Sequence, residues 1–388
     1  MRHGFTGPVY ATSPTADMAG VSLLDAAHIQ EEDADYRNRK RLSRHKKALP
    51  LFTTADAEEA LRLMKPIPFG KFIDINDEIS FRMNVAGHVL GAAGVLCRLR
   101  DNGNRSDVFF SGDVGRYGNP LTKDPDPPPE CDYLVCESTY GGRIHEPEDP
   151  RAVFIELINK IFKQKSVLLI PAFAVSRTQQ ITYLLQELIR HELIPEIDIH
   201  IDSPMAISAT EIYCKYASLH EVDLESLGGP GCVLEGKNVH LCRKRKDSKL
   251  LNKLKGPAVI MSSSGMLTGG RIMHHLMNRL KDPTTTIALA GFMAEGTLGR
   301  RLAEGAQEVR IHKQMFEVKA EIVSMHGLSG HADFYELLHW LEPMERAPRK
   351  VFLTHGEETQ SLAMARHLQR ERDWETYIPA LDEIVELQ

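Results

Sequence analysis

The 388-residue chain lacks the features typical of membrane proteins, of redox or zinc-ribbon proteins and of wholly basic nucleic-acid binders. No run approaches the ~20 consecutive apolar residues needed to cross a bilayer, and residues 1–18 contain neither an apolar core nor a small-residue cleavage site. These absences predict a cytoplasmic protein with no membrane partner. The net charge of −6 excludes a basic overall surface, although local runs at 37–47 and 243–256 are equally compatible with nucleic-acid binding and with solvated helices.

The cysteines form no C-x-x-C pair, so the sequence offers neither a cysteine zinc site nor a redox centre. We expect reduced, mostly buried thiols. The six cysteines are Cys97, Cys131, Cys136, Cys214, Cys232 and Cys242.

Two domains are expected from the length, each with its own core. The first part is β-rich with one helix, because short apolar runs there are broken by glycine. From about Arg151, strands alternate with helices, which predicts a parallel, doubly wound α/β sheet. The last part again has strands, histidine-bearing loops and helices.

Polar side chains follow several predicted strands, where the loops of a layered α/β protein converge on one crevice. A histidine in such a place is, taken alone, more often structural than a metal ligand. Together, imidazoles and a carboxylate are the donors of a zinc site, and a bridging carboxylate with two ions suits phosphodiester hydrolysis. The five residues at these positions are His88, Asp113, Glu137, His331 and His355.

The surrounding motifs resemble the β-CASP branch of the metallo-β-lactamase fold, which comprises RNA-processing zinc nucleases. The resemblance runs in order along the chain through AGHVLGAAG, FSGDVGR, CESTYGG, IPAFAVSRTQQ, DSPMA, SSSGMLTGG, GFMAEGTLGR, GLSGHAD and LTHGE. It implies an αββα sandwich, incomplete at its N-terminus, with an inserted doubly wound α/β domain. The implied boundaries are 1–146 for the first part of the lactamase domain, 147–322 for the β-CASP insertion and 323–388 for the return.

The same resemblance implies a role for each candidate residue. His88 would bind one zinc ion and His355 the other, and Asp113 would bridge them and take part in catalysis. His331 would donate a hydrogen bond or act as general acid, oriented by Glu137. The implied function is a zinc-dependent ribonuclease that hydrolyses phosphodiester bonds by metal-activated water, in RNA processing or decay. Endonuclease and exonuclease modes both stay open, and the expected partners are single-stranded RNA and a second copy in a homodimer.

One departure from the family pattern matters for the metal site. Family members carry a His-x-His-x-Asp-His signature upstream of GFTGPVYAT, and no such signature occurs in these 388 residues. With only His88, Asp113 and His355, neither zinc ion would reach three protein ligands. Two expectations follow: a nuclease whose ligand shell is completed by residues upstream, or a non-catalytic RNA-binding or scaffolding relative.

Four residues of the central region are candidates for binding RNA phosphates. Arg177 opens a predicted helix, where it would bind phosphate or pair with a surface carboxylate. Ser262, Ser263 and Ser264 lie between a strand and a helix, where hydroxyls and helix-terminal N–H groups would hold a phosphate, unless they form an ordinary turn.

Overall fold

The computed structural model describes residues 4–42, 46–101, 103–145, 148–222, 232, 234–291 and 293–387. The chain divides into two compact units, Met1–Lys71 and Phe72–Gln388. Within the described part, no helix combines the length and apolar character required to span a bilayer.

The first unit contains a two-stranded parallel sheet and two helices. Thr12 caps the first helix by accepting a hydrogen bond from the Thr15 backbone N–H, and Thr53 forms a capping box with Asp56 at the start of the second. This second helix was not predicted from the sequence. The elements are β1 Val9–Thr12, α1 Ser13–Lys40, α2 Thr54–Arg62 and β2 Met64–Ile67.

The two basic runs contain surface ion pairs where the structure describes them. Arg37 pairs with Asp33 one helical turn earlier, at 2.8 Å, and Arg243 pairs with Glu211. Residues 43–45 of the first run lie outside the described residues. The first pair favours the solvated-helix interpretation for Arg37, whereas Arg243 is a surface ion-pair partner that lies outside any helix.

The second unit contains a seven-stranded mixed sheet in the order β17-β16-β7-β6-β5-β4-β3. Strands β3 to β6 are antiparallel neighbours, whereas β6, β7, β16 and β17 run parallel. Leu134 on β7 packs in one core with Leu337 of α9 and Leu368 of α10. The elements are β3 Phe72–Asp74, β4 Ile79–Val85, β5 Ala93–Asp101, β6 Asn104–Phe110, β7 Tyr133–Glu137, α9 Phe334–Leu341, β16 Lys350–Thr354, α10 Glu358–Arg372 and β17 Thr376–Tyr377.

A six-stranded, wholly parallel sheet confirms the predicted doubly wound region. Along β8, Leu168 and Ile170 belong to one hydrophobic core, and Val167 and Leu169 belong to another. Since neighbouring residues of a strand point to opposite faces, both faces of this sheet are covered. Its order is β10-β9-β11-β8-β12-β15. The elements are α3 Pro150–Gln164, β8 Val167–Pro171, α4 Arg177–Arg190, β9 Asp198–Ile201, α5 Pro204–Lys215, β10 Val239–Leu241, α6 Arg245–Leu251, β11 Ala258–Ser262, α7 Ile272–Arg279, β12 Thr286–Ala290, α8 Leu298–Ala303 and β15 Glu321–Met325. Between α8 and β15, the strands β13 Glu308–Ile311 and β14 Gln314–Glu317 form a separate antiparallel pair.

The parallel sheet lies, in sequence, between two strands that are neighbours in the mixed sheet. β7 and β16 pair directly, although strands β8 to β15 come between them in the chain. The boundaries at 146/147 and 322/323 stay predictions, and residues 146 and 147 are among those not described.

The expectation of six reduced thiols is wrong for one pair. Cys214 and Cys232 form a disulfide, with their Cα atoms 5.1 Å apart. The two cysteines are 18 positions apart in sequence, and this spacing does not predict that they meet in the fold. Cys131 and Cys136 are buried free thiols as expected, and burial raises the pKa of Cys131 to about 12.

Candidate metal centre

Strand order brings four of the five candidate residues, all except His331, to the same end of neighbouring strands in the mixed sheet. Glu137 is the last residue of β7 and is the register partner of Thr354 on β16, so His355 follows directly beside it. Asp113 follows β6, which is parallel to β7. His88 follows β4, which has the same direction as β6 because β5 is antiparallel to both.

Glycines let the two loops carrying His88 and Asp113 approach each other. The Gly115 backbone N–H donates to the Ala86 carbonyl at 2.7 Å. A Cβ on Gly115 would overlap the Gly87 carbonyl, and Gly87 itself has φ +75°. Side chains at these positions would therefore force the loops apart.

Asp113 lies between two imidazoles. Its Oδ2 is 3.9 Å from His88 Nε2, and its Oδ1 is 3.2 Å from His355 Nδ1. The two oxygens of one carboxylate thus face different histidines. A bridging ligand, which is the role that the family resemblance implies for Asp113, needs two oxygens directed in this way, and the role stays a prediction.

His331 and Glu137 form a second pair beside this group. Both carboxylate oxygens of Glu137 lie 3.2 Å from His331 Nδ1. The buried carboxylate also accepts from the backbone N–H of Val114 at 2.5 Å and of Thr139 at 3.4 Å. The ring of His331 stacks at a tilt near His88, with centroids 4.3 Å apart.

The two central histidines have opposite pKa shifts. Burial, followed by repulsion from His331, lowers the pKa of His88 despite the nearby carboxylates. Burial also acts to lower the pKa of His331, but the hydrogen bond and charge of Glu137 outweigh it, so that this pKa is raised. A neutral imidazole offers a lone pair to a metal, whereas a readily protonated one serves as a proton donor.

The residue types of the centre fit a zinc ion, and His331 belongs to both groups of converging ligand atoms. Ligand atoms of His88, Asp113 and His331 all lie within 4.8 Å of one another, and so do those of Glu137, His331 and His355. Imidazole nitrogen and carboxylate oxygen are both ordinary zinc ligands. Among the described residues, His145, Asp333 and Glu336 form a third such group, but the two carboxylates are engaged in the helix cap of α9.

His355 is held in an uncommon backbone conformation. Its φ is +53°, in the left-handed region that residues with a Cβ seldom adopt. The Thr139 hydroxyl donates to its carbonyl at 2.9 Å and lies 3.2 Å from its Nδ1. Strained backbone that is fixed by such contacts is typical of functional sites.

Three residues of the centre were not singled out from the sequence. Thr139 contacts His355, and the Tyr140 ring lies 6.2 Å from that of His331 between centroids. His145 lies 2.8 Å from the His331 carbonyl oxygen through its Nε2. Thr139 and Tyr140 belong to the CESTYGG motif, and this motif could have identified them as site residues from the sequence. His145 lies just beyond the motif.

Arg177 lies near this centre. It is the first residue of α4, and its guanidinium donates to Gln180 Oε1 at 2.8 Å. Its Nε is buried without a hydrogen-bond partner in the described part of the chain. Burial lowers the pKa of Arg177 to about 10, and Tyr140 is the group that opposes this shift. Arg177 therefore lies within electrostatic range of Tyr140, whose ring is next to that of His331.

The three candidate serines have protein partners. Ser262 is buried and donates to the Asp202 carbonyl at 2.9 Å. Ser263 donates to the Ser203 hydroxyl at 3.1 Å, and Ser264 accepts from the Thr268 backbone N–H at 2.9 Å. Phosphate binding by these serines and by Arg177 stays a prediction.

Comparisons with known proteins match this architecture. Residues 178–302 match the family described as Beta-Casp domain, and residues 315–379 match the Zn-dependent metallo-hydrolase RNA specificity domain. A ribonuclease of Thermus thermophilus is 33% identical over 95% of this chain and 79% of its own length. A transcription termination factor, FttA, of Methanothermobacter thermautotrophicus is 28% identical over 100% of this chain and 60% of its own length.

A second FttA, from Methanosarcina mazei, is 28% identical over 97% of this chain. The chain spans 58% of that relative, so it covers less than two thirds of either termination factor. The likeness to the Thermus ribonuclease extends over most of both chains. On that likeness and the two matched domains, the chain belongs to the β-CASP family of the metallo-β-lactamase fold.

Proposed function

We propose that this chain is a zinc-dependent ribonuclease that hydrolyses phosphodiester bonds of single-stranded RNA. One observation carries the proposal: Asp113 faces His88 and His355 with separate oxygens, directly beside the His331–Glu137 pair. The matched domain described as an RNA specificity domain of zinc-dependent metallo-hydrolases, and the relative named a ribonuclease, support both zinc and RNA.

His88, Asp113 and His355 would supply three ligands of a two-zinc site with Asp113 as the bridge, and the remaining ligands would come from groups outside this set. When bound, zinc would act as a Lewis acid toward the phosphate and lower the pKa of a coordinated water. The lowered pKa of His88 keeps its imidazole neutral at pH 7, which is the form that binds metal.

His331 would serve as the proton donor to the departing oxygen. Glu137 holds the Nδ1 proton, so the other ring nitrogen donates when the ring is protonated. The raised pKa of His331 increases that protonated fraction near neutral pH. General acid catalysis of this kind contributes about 10²-fold to 10⁴-fold.

Arg177 would hold the phosphate next to the reacting one. Its partly desolvated guanidinium has a free Nε and lies near Tyr140, which adjoins His331. A phosphate there would satisfy the buried donor with a charge-assisted hydrogen bond. We also propose that the enzyme is cytoplasmic and forms a homodimer.

The test is cleavage of end-labelled single-stranded RNA by the zinc-loaded full chain, compared with Asp113→Asn. A matched control is Asp198→Asn, because Asp198 is a surface carboxylate paired with His240. We expect zinc-dependent cleavage by the parent and the control, and a loss of at least about 10²-fold in Asp113→Asn. RNA binding without any zinc-dependent cleavage by the parent would refute the enzyme and favour a non-catalytic RNA-binding protein.

A DNA strand of the same sequence separates the two possible substrate classes. Contacts to the 2′-hydroxyl are what allow a protein to distinguish RNA from DNA. Cleavage of both strands at equal rates would overturn the assignment of RNA as the substrate.

A further inference from the structure

His145 contacts the backbone of His331 directly. Its Nε2 lies 2.8 Å from the His331 carbonyl oxygen. A carbonyl oxygen only accepts, so His145 carries a proton on Nε2 and donates it in this hydrogen bond. The side chain of His145 is 7% exposed, so water does not readily replace it as the partner.

The position of His145 is itself fixed by the start of α9. Its backbone N–H donates to Asp333 Oδ2 at 2.9 Å, and Asp333 caps that helix. The ring packs edge-on against Tyr140, with centroids 5.0 Å apart. Glu336, which pairs with Arg116 at 3.2 Å, places its other oxygen 3.8 Å from His145 Nε2. His145 is therefore a rigid donor.

The segment 137–145 consequently holds His331 at two points. Glu137, the last residue of β7, contacts the ring of His331, and His145 contacts the carbonyl. The His331 backbone also forms an isolated bridge with Gly115, and its N–H donates to the Ser329 hydroxyl at 3.3 Å. Removing the His145 donor would free the carbonyl, so that the ring would be oriented by the Glu137 contact and by these remaining backbone contacts.

We propose that His145 is a positioning residue for His331: it sets the orientation of the ring toward the substrate by holding the carbonyl of the same residue. The inference rests on the proposed function for its catalytic consequence, but the orientation itself is measurable without RNA. A displacement of about 1 Å in a catalytic group costs up to about 10²-fold in rate.

The kinetic arm compares three variants of the full chain with the parent. His145→Ala removes the donor, whereas His145→Gln places an amide N–H near the position of Nε2. His339→Ala is the matched control, because His339 is an exposed histidine on α9 that pairs with Glu342. We expect a roughly 10-fold to 100-fold lower kcat for His145→Ala with little change in KM, near-parental values for the control, and recovery to within about 3-fold for His145→Gln.

The second arm observes the ring of His331 by NMR with isotope-labelled histidine, using the Nδ1–H resonance of the hydrogen bond to Glu137. This signal should be lost or broadened in His145→Ala and retained in His145→Gln and His339→Ala. Retention of the parental signal in His145→Ala would overturn the positioning role whatever the RNA result. The expected NMR pattern with no cleavage by the parent would leave the positioning role standing and refute the ribonuclease. If both His145 variants lost kcat and also failed to fold, the residue would have a structural role and the positioning role would be overturned.

Discussion

The Asp202 carboxylate at the end of β9 provides a sharp test of how the parallel sheet is stabilised. Asp202 is fully buried. Arg271 donates to its Oδ1 at 2.7 Å, and Ser248 and His275 contact its Oδ2 at 2.6 and 2.7 Å. We predict that Asp202→Ala strongly destabilises the fold, because it removes the acceptor shared by all three side chains.

The magnitude follows from what the substitution leaves behind. Arg271 retains the carbonyls of Cys242 and Arg243 as acceptors, but His275 is buried and its Nδ1 has no partner among the described groups. Breaking a buried pair in this way costs about 3–5 kcal/mol. Asp198→Ala, at the first residue of β9, is the control: its carboxylate is 59% exposed and pairs with His240, so we expect a change within about 0.5 kcal/mol.

The effect of Asp202→Ala on stability should also depend on pH. Burial acts to raise the pKa of Asp202, but the hydrogen bonds from His275, Ser248 and Arg271 outweigh it, so that the pKa is lowered. A carboxylate with a depressed folded-state pKa stabilises the fold above its unfolded pKa of about 3.9, and this stabilisation is lost as pH falls toward the folded value. The difference in the free energy of unfolding between the parent and Asp202→Ala should therefore stay constant from about pH 5 to 8 and decrease below about pH 4.

Urea unfolding followed by circular dichroism, at several pH values, measures both quantities. Equal decreases in the free energy of unfolding for Asp202→Ala and Asp198→Ala would refute the reasoning, because it depends on the difference in burial between the two carboxylates. So would a gap that widens on acidification. An Asp202→Ala loss below about 1 kcal/mol would mean that the network contributes no more than a surface pair.

Three further predictions concern the candidate metal centre. Glu137→Gln should leave RNA binding intact but lower kcat by about 10²-fold. It should also move the alkaline limb of the pH–rate profile to lower pH, because burial, which lowers the pKa of His331, is then opposed only by the charge of Asp113; an unmoved limb would argue against His331 as the acid. Arg177→Ala should weaken single-stranded RNA binding and reduce the slope of log affinity against log salt by about one, whereas Arg190→Ala, at the other end of α4, should change neither. Chelation of zinc should abolish cleavage by the parent and have no effect on the residual rate of Asp113→Asn.

The layout of the parallel sheet was predictable because it depends on local patterns. β8, β11 and β12 are continuous buried runs, and such runs alternating with helices are typical of a sheet covered on both faces. The convergence of His88, Asp113 and His355 was predictable for a related reason, since each follows a strand of one sheet direction. Their roles in metal binding stay predictions.

Other features depend on where distant segments meet, which no local pattern reports. The Cys214–Cys232 disulfide is one example. The contact of His145 with the His331 carbonyl joins residues 186 positions apart and involves a backbone atom, so the side-chain identity of His331 carries no sign of it. The serines at the end of β11 looked like free donors in the sequence, but the Ser262 hydroxyl is bonded to the Asp202 carbonyl.

The pairing of β7 with β16 also determines when the candidate metal centre assembles during synthesis of the chain. The Glu137–His331 contact spans 194 positions and the Thr139–His355 contact 216. The first contact cannot form on a nascent chain until the segment carrying His331 has left the ribosome, and the second must wait for His355, which follows β16. A nascent chain that has not emerged past His355 therefore carries no assembled centre, so a nuclease built this way cannot act on the message being translated before that point of its own synthesis.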